Sequence, residues 1–590
     1  MGQFFKFLFA SCLGVFLALI ALFGIGMIVL SSIASSVDKP EKISPNTVLH
    51  LTFEQPIPEK TNNIQVVSFN PQQDKILGLQ DMLRAIEQAK TDDNIKGIFL
   101  EAPMGINGGL TTTTVLRETL EDFKSGGKFV IAYSDYYTQG SYYLATTADE
   151  IIVNPMGFVD FRGFAATIPF FKNLMDKLDI KAQVFYAGKF KSATEPYRRT
   201  NMSEESKMQT REYLNQIYQN FLTEIATDRG IPVADLHKIA DQYQAFHTDE
   251  ALRLKMVDKV GYRDDAMAAL REKLGLGEKE NVKLAKIERY FKANPPSSDY
   301  NVKDKIAVVY AEGTILDGKT EYGTIGSENY SKILKDVLKD DRVKAVVLRV
   351  NSRGGSTVAS ENIWYDIMEI KKAGKKVVVS MGDYAASGGY YISCLADTIV
   401  AEPSTLTGSI GVFAIIPSIQ GLLNNKLGIN FDTVKTASLA HGITGIYDLN
   451  ETEKKILQAR TDKSYELFLQ RVADGRNMTR DQVHEIAQGR VWTGEKAKEI
   501  GLVDALGGLD EAMEIAKNMA GLESYRVTEY PRTKDPFQQF LETFLEQESV
   551  ASDQVIKTKL GDWYPYYKML QEIHDSKGVQ ARLPFIIPFN

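Results

Sequence analysis

The sequence predicts an α/β chain built from two copies of one domain and preceded by one transmembrane helix. Three observations carry that prediction: a repeat at a fixed offset, short β-branched runs alternating with helix-period segments, and an uncharged apolar stretch near the N-terminus. "DDNIKGIFLE" (Asp92 to Glu101) returns as "DDRVKAVVLR" (Asp340 to Arg349) and "ADEIIVNP" (Ala148 to Pro155) as "ADTIVAEP" (Ala396 to Pro403), each 248 residues later. A third pair, "DYYTQGSYY" (Asp135 to Tyr143) and "DYAASGGYY" (Asp383 to Tyr391), keeps the same offset. Solenoid repeats run to about 50 residues, so a period this long is a duplicated domain. The length of 590 residues points the same way, since a single core stops growing well below it.

Taken in order, residues 1–6 are a short cytoplasmic N-terminus. Phe7 to Leu30, "FLFASCLGVFLALIALFGIGMIVL", carries no charge and is almost wholly apolar. A bilayer-spanning helix needs about 20 such residues, whereas a cleaved signal peptide has an apolar region of about 7–15. Residues 7–30 therefore read as a membrane anchor, followed by a linker over 31–46. Lys6 on one side and Lys39 and Lys42 on the other leave the positive-inside rule nearly silent on orientation, and a single span with a large body outside is the expectation. The first copy covers 47–293, a linker containing "NPPSSD" covers 294–303, and the second copy covers 304–525. In the second copy "KIAVVYAEG", "VKAVVLRV" and "KKVVVSM" read as strands, with "SKILKDVLKD" and "ASENIWYDIMEIKKA" as helices between them and another helix starting at Ser387. Continuous rather than alternating apolar runs predict parallel strands buried on both faces. In the extension, 526–590, "DPFQQFLETFLEQ" has an amphipathic helical pattern and "RLPFIIPFN" is apolar enough to pack on something.

Composition excludes several functions. A net charge of -7 with no long Lys/Arg run gives nucleic acid no electrostatic hold. Cys12 and Cys394, the two cysteines, exclude a disulfide framework and a cysteine zinc cluster. The six histidines form no HxxxH or HExxH pair, so neither a metal nor any other cofactor is expected.

Two motifs compete for the chemistry. Gly313 to Thr320, "GTILDGKT", matches the phosphate-loop pattern and follows a strand. A phosphate loop must open a helix, however, and "EYGTIGSEN" places two glycines before any helical pattern starts. It reads as a surface loop. Ser387, in "AASGG", follows a strand directly at the start of a helix, where free N–H groups favour developing negative charge. Its twin in the first copy is Gln139. Taken alone these features favour plain close packing of a helix start, but "NSRGGS" (Asn351 to Ser356) places a glycine loop at the end of a neighbouring strand, where α/β sheets bind ligands. A serine nucleophile needs a base. His441, in "LAHGITG", has no Asp beside it. A lysine can serve if desolvation brings it from about 10.4 to about 7–8, and residue types alone do not select which lysine.

Together "DYAASGGYYIS", "RVNSRGGS", "PSTLTGSIGV" (Pro403 to Val412) and "GKFKSATEPYRR" (Gly188 to Arg199) resemble the signal peptide peptidase A (protease IV) family in its long, tandem form. The resemblance runs from the anchor to about residue 525. It implies serine peptidases of ClpP/crotonase-like fold, with Ser387 as nucleophile, Lys191 of the first copy as general base, and Ser409 holding the lysine. Gly388 and the Gly354–Gly355 loop would form the oxyanion hole. The first copy has Gln139 and Phe161 where the second has Ser387 and Ser409, and the second has Ala440 or a neighbour where the first has Lys191, so one site is expected across both halves. The family usually has proline where this chain has Arg353, which implies a freer glycine loop and a shifted substrate preference. The resemblance further implies peptide substrates such as the remnants of cleaved signal peptides, a homo-oligomer (a tetramer), and a body on the extracytoplasmic side of the cytoplasmic membrane. Two other readings stay open at this point: a crotonase-fold reaction on acyl thioesters, and a non-enzymatic membrane scaffold.

Overall fold

The computed structural model describes residues 42–532 except 54, 62–75, 103–104, 107, 296–300 and 321–322, together with 578–583, Leu560 and scattered positions between 2 and 24. The middle of the predicted linker, the helix pattern "DPFQQFLETFLEQ" and most of "RLPFIIPFN" lie outside the described residues. Among the described residues no helix is long and apolar enough to cross a membrane. Segment 7–30 is only partly described; its described positions up to Ile20 are helical, and Phe7, Leu13, Val15, Phe16, Leu17 and Ile20 are exposed.

Two sheets repeat one plan. In the first half, six parallel strands run in the order Lys259–Val260, Glu150–Val153, Phe129–Ser134, Ile95–Glu101, Thr47–Leu51, Lys283–Lys286. The second half sets Ala505–Leu506, Thr398–Ala401, Lys376–Ala386, Val343–Ser352, Lys305–Glu312 and Arg526–Tyr530 side by side in the same order, again parallel, so its sheet takes in a strand from beyond the boundary expected at 525. Leu406–Gly408 and Val491–Thr493 extend its far end beside Lys376–Ala386. The continuous apolar runs are explained by burial on both faces: Val346, Val347, Leu348 and Val350 are all inaccessible, packed on one side against Thr357–Lys372 and on the other against Leu509–Met519.

A third sheet joins the halves. Its order is Thr324–Gly326, Thr314–Leu316, Gly354–Ser356, Gln580–Arg582, Val412–Ser418, Lys181–Ala187. The last two pair antiparallel over seven residues, Val412 with Ala187 through Ser418 with Lys181, so a first-copy strand completes a second-copy sheet. At the 248-residue offset, the counterparts of these two strands, 164–170 and 429–435, have no regular structure. Each copy has kept one strand of the pair. The segment that matched a phosphate loop also finds its place here: the next helix starts only at Ser327, and Ile315 pairs with Gly355. Glu59 makes a second tie, reaching from the first half to accept from buried Arg349 at 2.9 and 3.3 Å and from Asn351 at 3.0 Å. Both charges are desolvated, so each depends on the other's presence.

Candidate active site

Ser387 sits where the strand Lys376–Ala386 gives way to the helix Gly388–Ser393. Its backbone angles, φ 57° and ψ -113°, fall in a region that non-glycine residues rarely occupy. The turn is held by its N–H, which donates to the Gly408 carbonyl at 2.8 Å, and by Tyr391 N–H, which donates to the Ser387 carbonyl at 2.8 Å.

Lys191 arrives from the other half. The crossing strand Lys181–Ala187 carries the chain to Gly188, and Phe190 N–H donates to the Gln488 carbonyl at 2.9 Å. Gln209 grips the same loop, donating to the Phe190 carbonyl at 3.0 Å and accepting from Val491 N–H at 3.2 Å. Lys191 Nζ then lies 2.8 Å from Ser387 Oγ, 3.0 Å from the Ser409 carbonyl and 3.0 Å from Ser409 Oγ. Lys191 is 2% exposed and Ser387 0%. Burial, the one cause acting on it, holds the ammonium pKa well below the ordinary lysine range. A neutral amine has two N–H donors and one lone pair, which matches two acceptors on Ser409 and one hydroxyl on Ser387. His441 stands elsewhere, in the loop 428–450, with its imidazole 3.2 Å from the Glu453 carboxylate.

The glycine loop faces the serine. Ser352 Oγ accepts from Gly354 N–H at 3.1 Å and donates to the Gly313 carbonyl at 2.6 Å, so this hydroxyl fixes the turn that carries Arg353. Gly354 has φ 94°, and a Cβ there would stand 2.0 Å from the Ala581 carbonyl oxygen and 2.6 Å from Gly388 N. Only glycine admits that approach. The strand Gln580–Arg582 runs antiparallel along Gly354–Ser356, with Ala581 opposite Gly355. Leu583 N–H donates to the Arg353 carbonyl at 2.9 Å and Thr357 N–H to the Val579 carbonyl at 3.3 Å. Hydrogen-bonded pairs alternate along an antiparallel ladder, so Gly355 and Ala581 form the bonded pair between those two. The Ala581 carbonyl thus faces the Gly355 N–H, and its oxygen and Gly388 N both border the space beside the Gly354 α-carbon.

All six residues singled out by sequence, Ser387, Lys191, Ser409, Gly388, Gly354 and Gly355, meet in this one place. The chain matches peptidase family S49 at residues 122–277, which contain Lys191, and again at 369–523, which contain Ser387 and Ser409. It belongs to peptidase family S49. It is 38% identical over 447 residues to Protease 4 of Haemophilus influenzae, an alignment covering 74% of this chain and 72% of that one. It is 28% identical over 522 residues to the chloroplastic serine protease SPPA of Arabidopsis thaliana, covering 87% and 75%. Among solved structures, ClpP1 of Listeria monocytogenes is similar over 35% of this chain and 94% of its own, at 17% identity and a TM-score of 0.24. As an S49 member, the chain is a serine peptidase, and peptides are its substrates.

Sequence reasoning missed three contributors. The loop Gln488–Arg490 seats Lys191, Ser352 steers the glycine turn, and Gln580–Arg582 lies along it. Neither the "AQGR" loop nor "QAR" carries a local signal of this role, because both act through backbone groups.

Proposed function

We propose that this peptidase works through a Ser–Lys dyad shared between its halves, with Ser387 as nucleophile and Lys191 as general base. The observation that carries the reading is the 2.8 Å separation of the two groups with the amine sealed from water. Neutral Lys191 removes the Ser387 proton as Oγ attacks a peptide carbonyl. The oxyanion is held by Gly355 and Gly388 N–H groups, preorganised by the Ser352-held glycine turn and the strained turn at Ser387. Protonated Lys191 then delivers that proton to the leaving amine, giving an acyl-enzyme and a shortened product. Water, deprotonated by the same amine, attacks the ester and regenerates Ser387. Ser409 supplies two acceptors that orient the amine through both steps. In this reading each half has the ClpP/crotonase-like fold, and neither half alone has a working site.

The substrates in this reading are remnants of cleaved signal peptides, reached from an anchor over residues 7–30 in the cytoplasmic membrane, with the body on the extracytoplasmic side. The exposed apolar positions of the N-terminal helix, from Phe7 to Ile20, and the resemblance to the tandem signal peptide peptidases support this. The same resemblance supports a homo-oligomer.

The test is fluorophosphonate labelling with hydrolysis of casein and of a synthetic signal peptide in detergent micelles. Ser387→Ala should lose label and activity, and Lys191→Met should lose activity by about 10²–10⁴-fold while staying folded. Activity retained by folded Lys191→Met removes the lysine from the mechanism.

A further inference from the structure

The first copy's counterpart of the site has lost its reactive groups and kept a cavity. Gln139, at the position of Ser387, turns its amide onto its own loop: Nε2 donates to the Gly163 carbonyl at 3.0 Å, and Oε1 accepts from Arg162 and Gly163 N–H at 3.2 and 2.8 Å. Phe161, at the position of Ser409, is buried against the rings of Tyr142 and Phe221, each 5.9 Å away. Beside Gln139 opens a cavity of about 350 Å³, within the range of about 300–1,000 Å³ usual for ligand pockets. Its apolar wall comes from both halves: Leu110, Phe164, Leu214 and Ile217 from the first, Tyr384 and Leu406 from the second. The polar groups around it are already engaged. Asp383 accepts from Thr112 N–H at 3.0 Å and from its hydroxyl at 2.8 Å, and the Thr111 and Ser404 hydroxyls stand 3.0 Å apart. Arg162, which also lines the cavity, pairs with Asp160 at 3.0 Å, and the larger part of what a newcomer meets is apolar.

The position of this cavity relative to the reaction follows from the C-terminal strand. With the Ala581 carbonyl at Gly355 N–H, one of the two proposed oxyanion donors, and close to Gly388 N across Gly354, a peptide lying as this strand lies offers Ser387 the bond equivalent to Ala581–Arg582, and Leu583 marks the second residue on the leaving side. Leu583 is buried in an apolar cluster with Tyr213, Ile217, Ala386, Leu406 and Val491, against which Leu110, Phe164, Leu214 and Tyr384 pack. Every apolar wall residue of the cavity named above belongs to that cluster or packs on it.

We propose that the cavity over the inactive first-copy site is the leaving-side specificity pocket of the active one. It takes the large apolar side chain two residues beyond the cleaved bond, and extends past it. The duplicated half thereby contributes a base and a substrate-reading surface. This proposal rests on the peptidase reading, because Ser387 as nucleophile fixes which bond is cut.

Internally quenched decapeptides that differ only in Leu or Ser at the second leaving-side position test it, with the cut located by mass spectrometry. The unsubstituted enzyme should favour Leu by about tenfold or more in kcat/KM, the discrimination an apolar pocket ordinarily achieves. In Leu214→Gln and in Phe164→Ala that ratio should fall toward one. A ratio near one in the unsubstituted enzyme overturns the proposal, as does an undiminished ratio in both variants. Should neither variant fold, the ratio in the unsubstituted enzyme decides alone. Fluorophosphonate labelling of Ser387 separates the two levels: label with a flat ratio sinks the pocket only, and absence of label sinks the dyad and the pocket together.

Discussion

Gly489 has φ 81°, and a Cβ built on it would stand 2.7 Å from both N and Cβ of Lys191 and 2.8 Å from its Cα. Ordinary contact begins near 3.4 Å, so Gly489→Ala must push the lysine backbone away by about 0.7 Å. The atoms in the way are mostly backbone, and a side-chain rotation cannot relieve them. Passed along the side chain, that displacement breaks the 2.8 Å approach of Nζ to Ser387 Oγ, and misplacement of this order costs about 10²-fold in rate. The left-handed backbone adds about 1–2 kcal/mol of instability. Gly127→Ala is the control: φ is 78° and nothing lies within 4 Å of its Cβ position, so it carries the same backbone penalty without the collision. The assay is kcat/KM on a fluorogenic peptide beside thermal unfolding of both variants. Similar losses of stability are expected, with activity lost only in Gly489→Ala. If Gly489→Ala is folded and retains activity within threefold of Gly127→Ala, the placement of the Lys191 amine does not limit the reaction.

The pH profile follows from the direction of the Lys191 shift: burial lowers its folded pKa, the base works only when deprotonated, and kcat/KM should therefore rise tenfold per unit on an acid limb and level off above that pKa. His441→Gln should leave the limb in place; its disappearance would pass the role to the histidine. Ser409→Gly removes the hydroxyl 3.0 Å from Nζ while the carbonyl remains, and it suits a backbone whose φ is 50°. Loss of one such bond in a buried site, about 1–3 kcal/mol, predicts about 5- to 150-fold lower kcat with KM little changed, and unaltered kcat would show that the hydroxyl does not orient the amine. Deleting residues 578–590 frees the ladder along Gly354–Ser356, and with a tethered strand at about millimolar effective concentration, KM for added peptide should fall between about twofold and tenfold. An unchanged KM would mean the strand does not compete with substrate.

Much of this was readable in advance, for physical reasons. Parallel strands buried on both faces must be continuously apolar, which is why "VKAVVLRV" and "KKVVVSM" announced themselves. Serine between small residues after such a strand, with a glycine loop on the neighbouring strand, is a local arrangement and was equally legible. Partner choice was not. A strand's hydrogen-bonding edge has no side-chain signature, so nothing in "KAQVFYAG" or "GVFAIIPS" says that the first pairs with the second across 231 residues, as Val184 does with Ile415. The seat of Lys191 and the ladder at Ala581 are likewise backbone contacts. Arg353 departs from the family's proline, yet the neighbouring Ser352 hydroxyl is what sets the turn.

A dyad shared between halves, as proposed above, has a consequence for the cell that makes the enzyme. Lys191 precedes Ser387 by 196 residues, which a ribosome adding about 5–20 residues per second takes roughly 10–40 s to cover. Throughout that interval the emerging polypeptide holds an amine with nothing to activate, and a transcript broken between the two codons yields a harmless fragment. With the proposed dyad, hydrolytic power appears only once Val412–Ser418 has paired with Lys181–Ala187, so the translation machinery never faces a half-built peptidase.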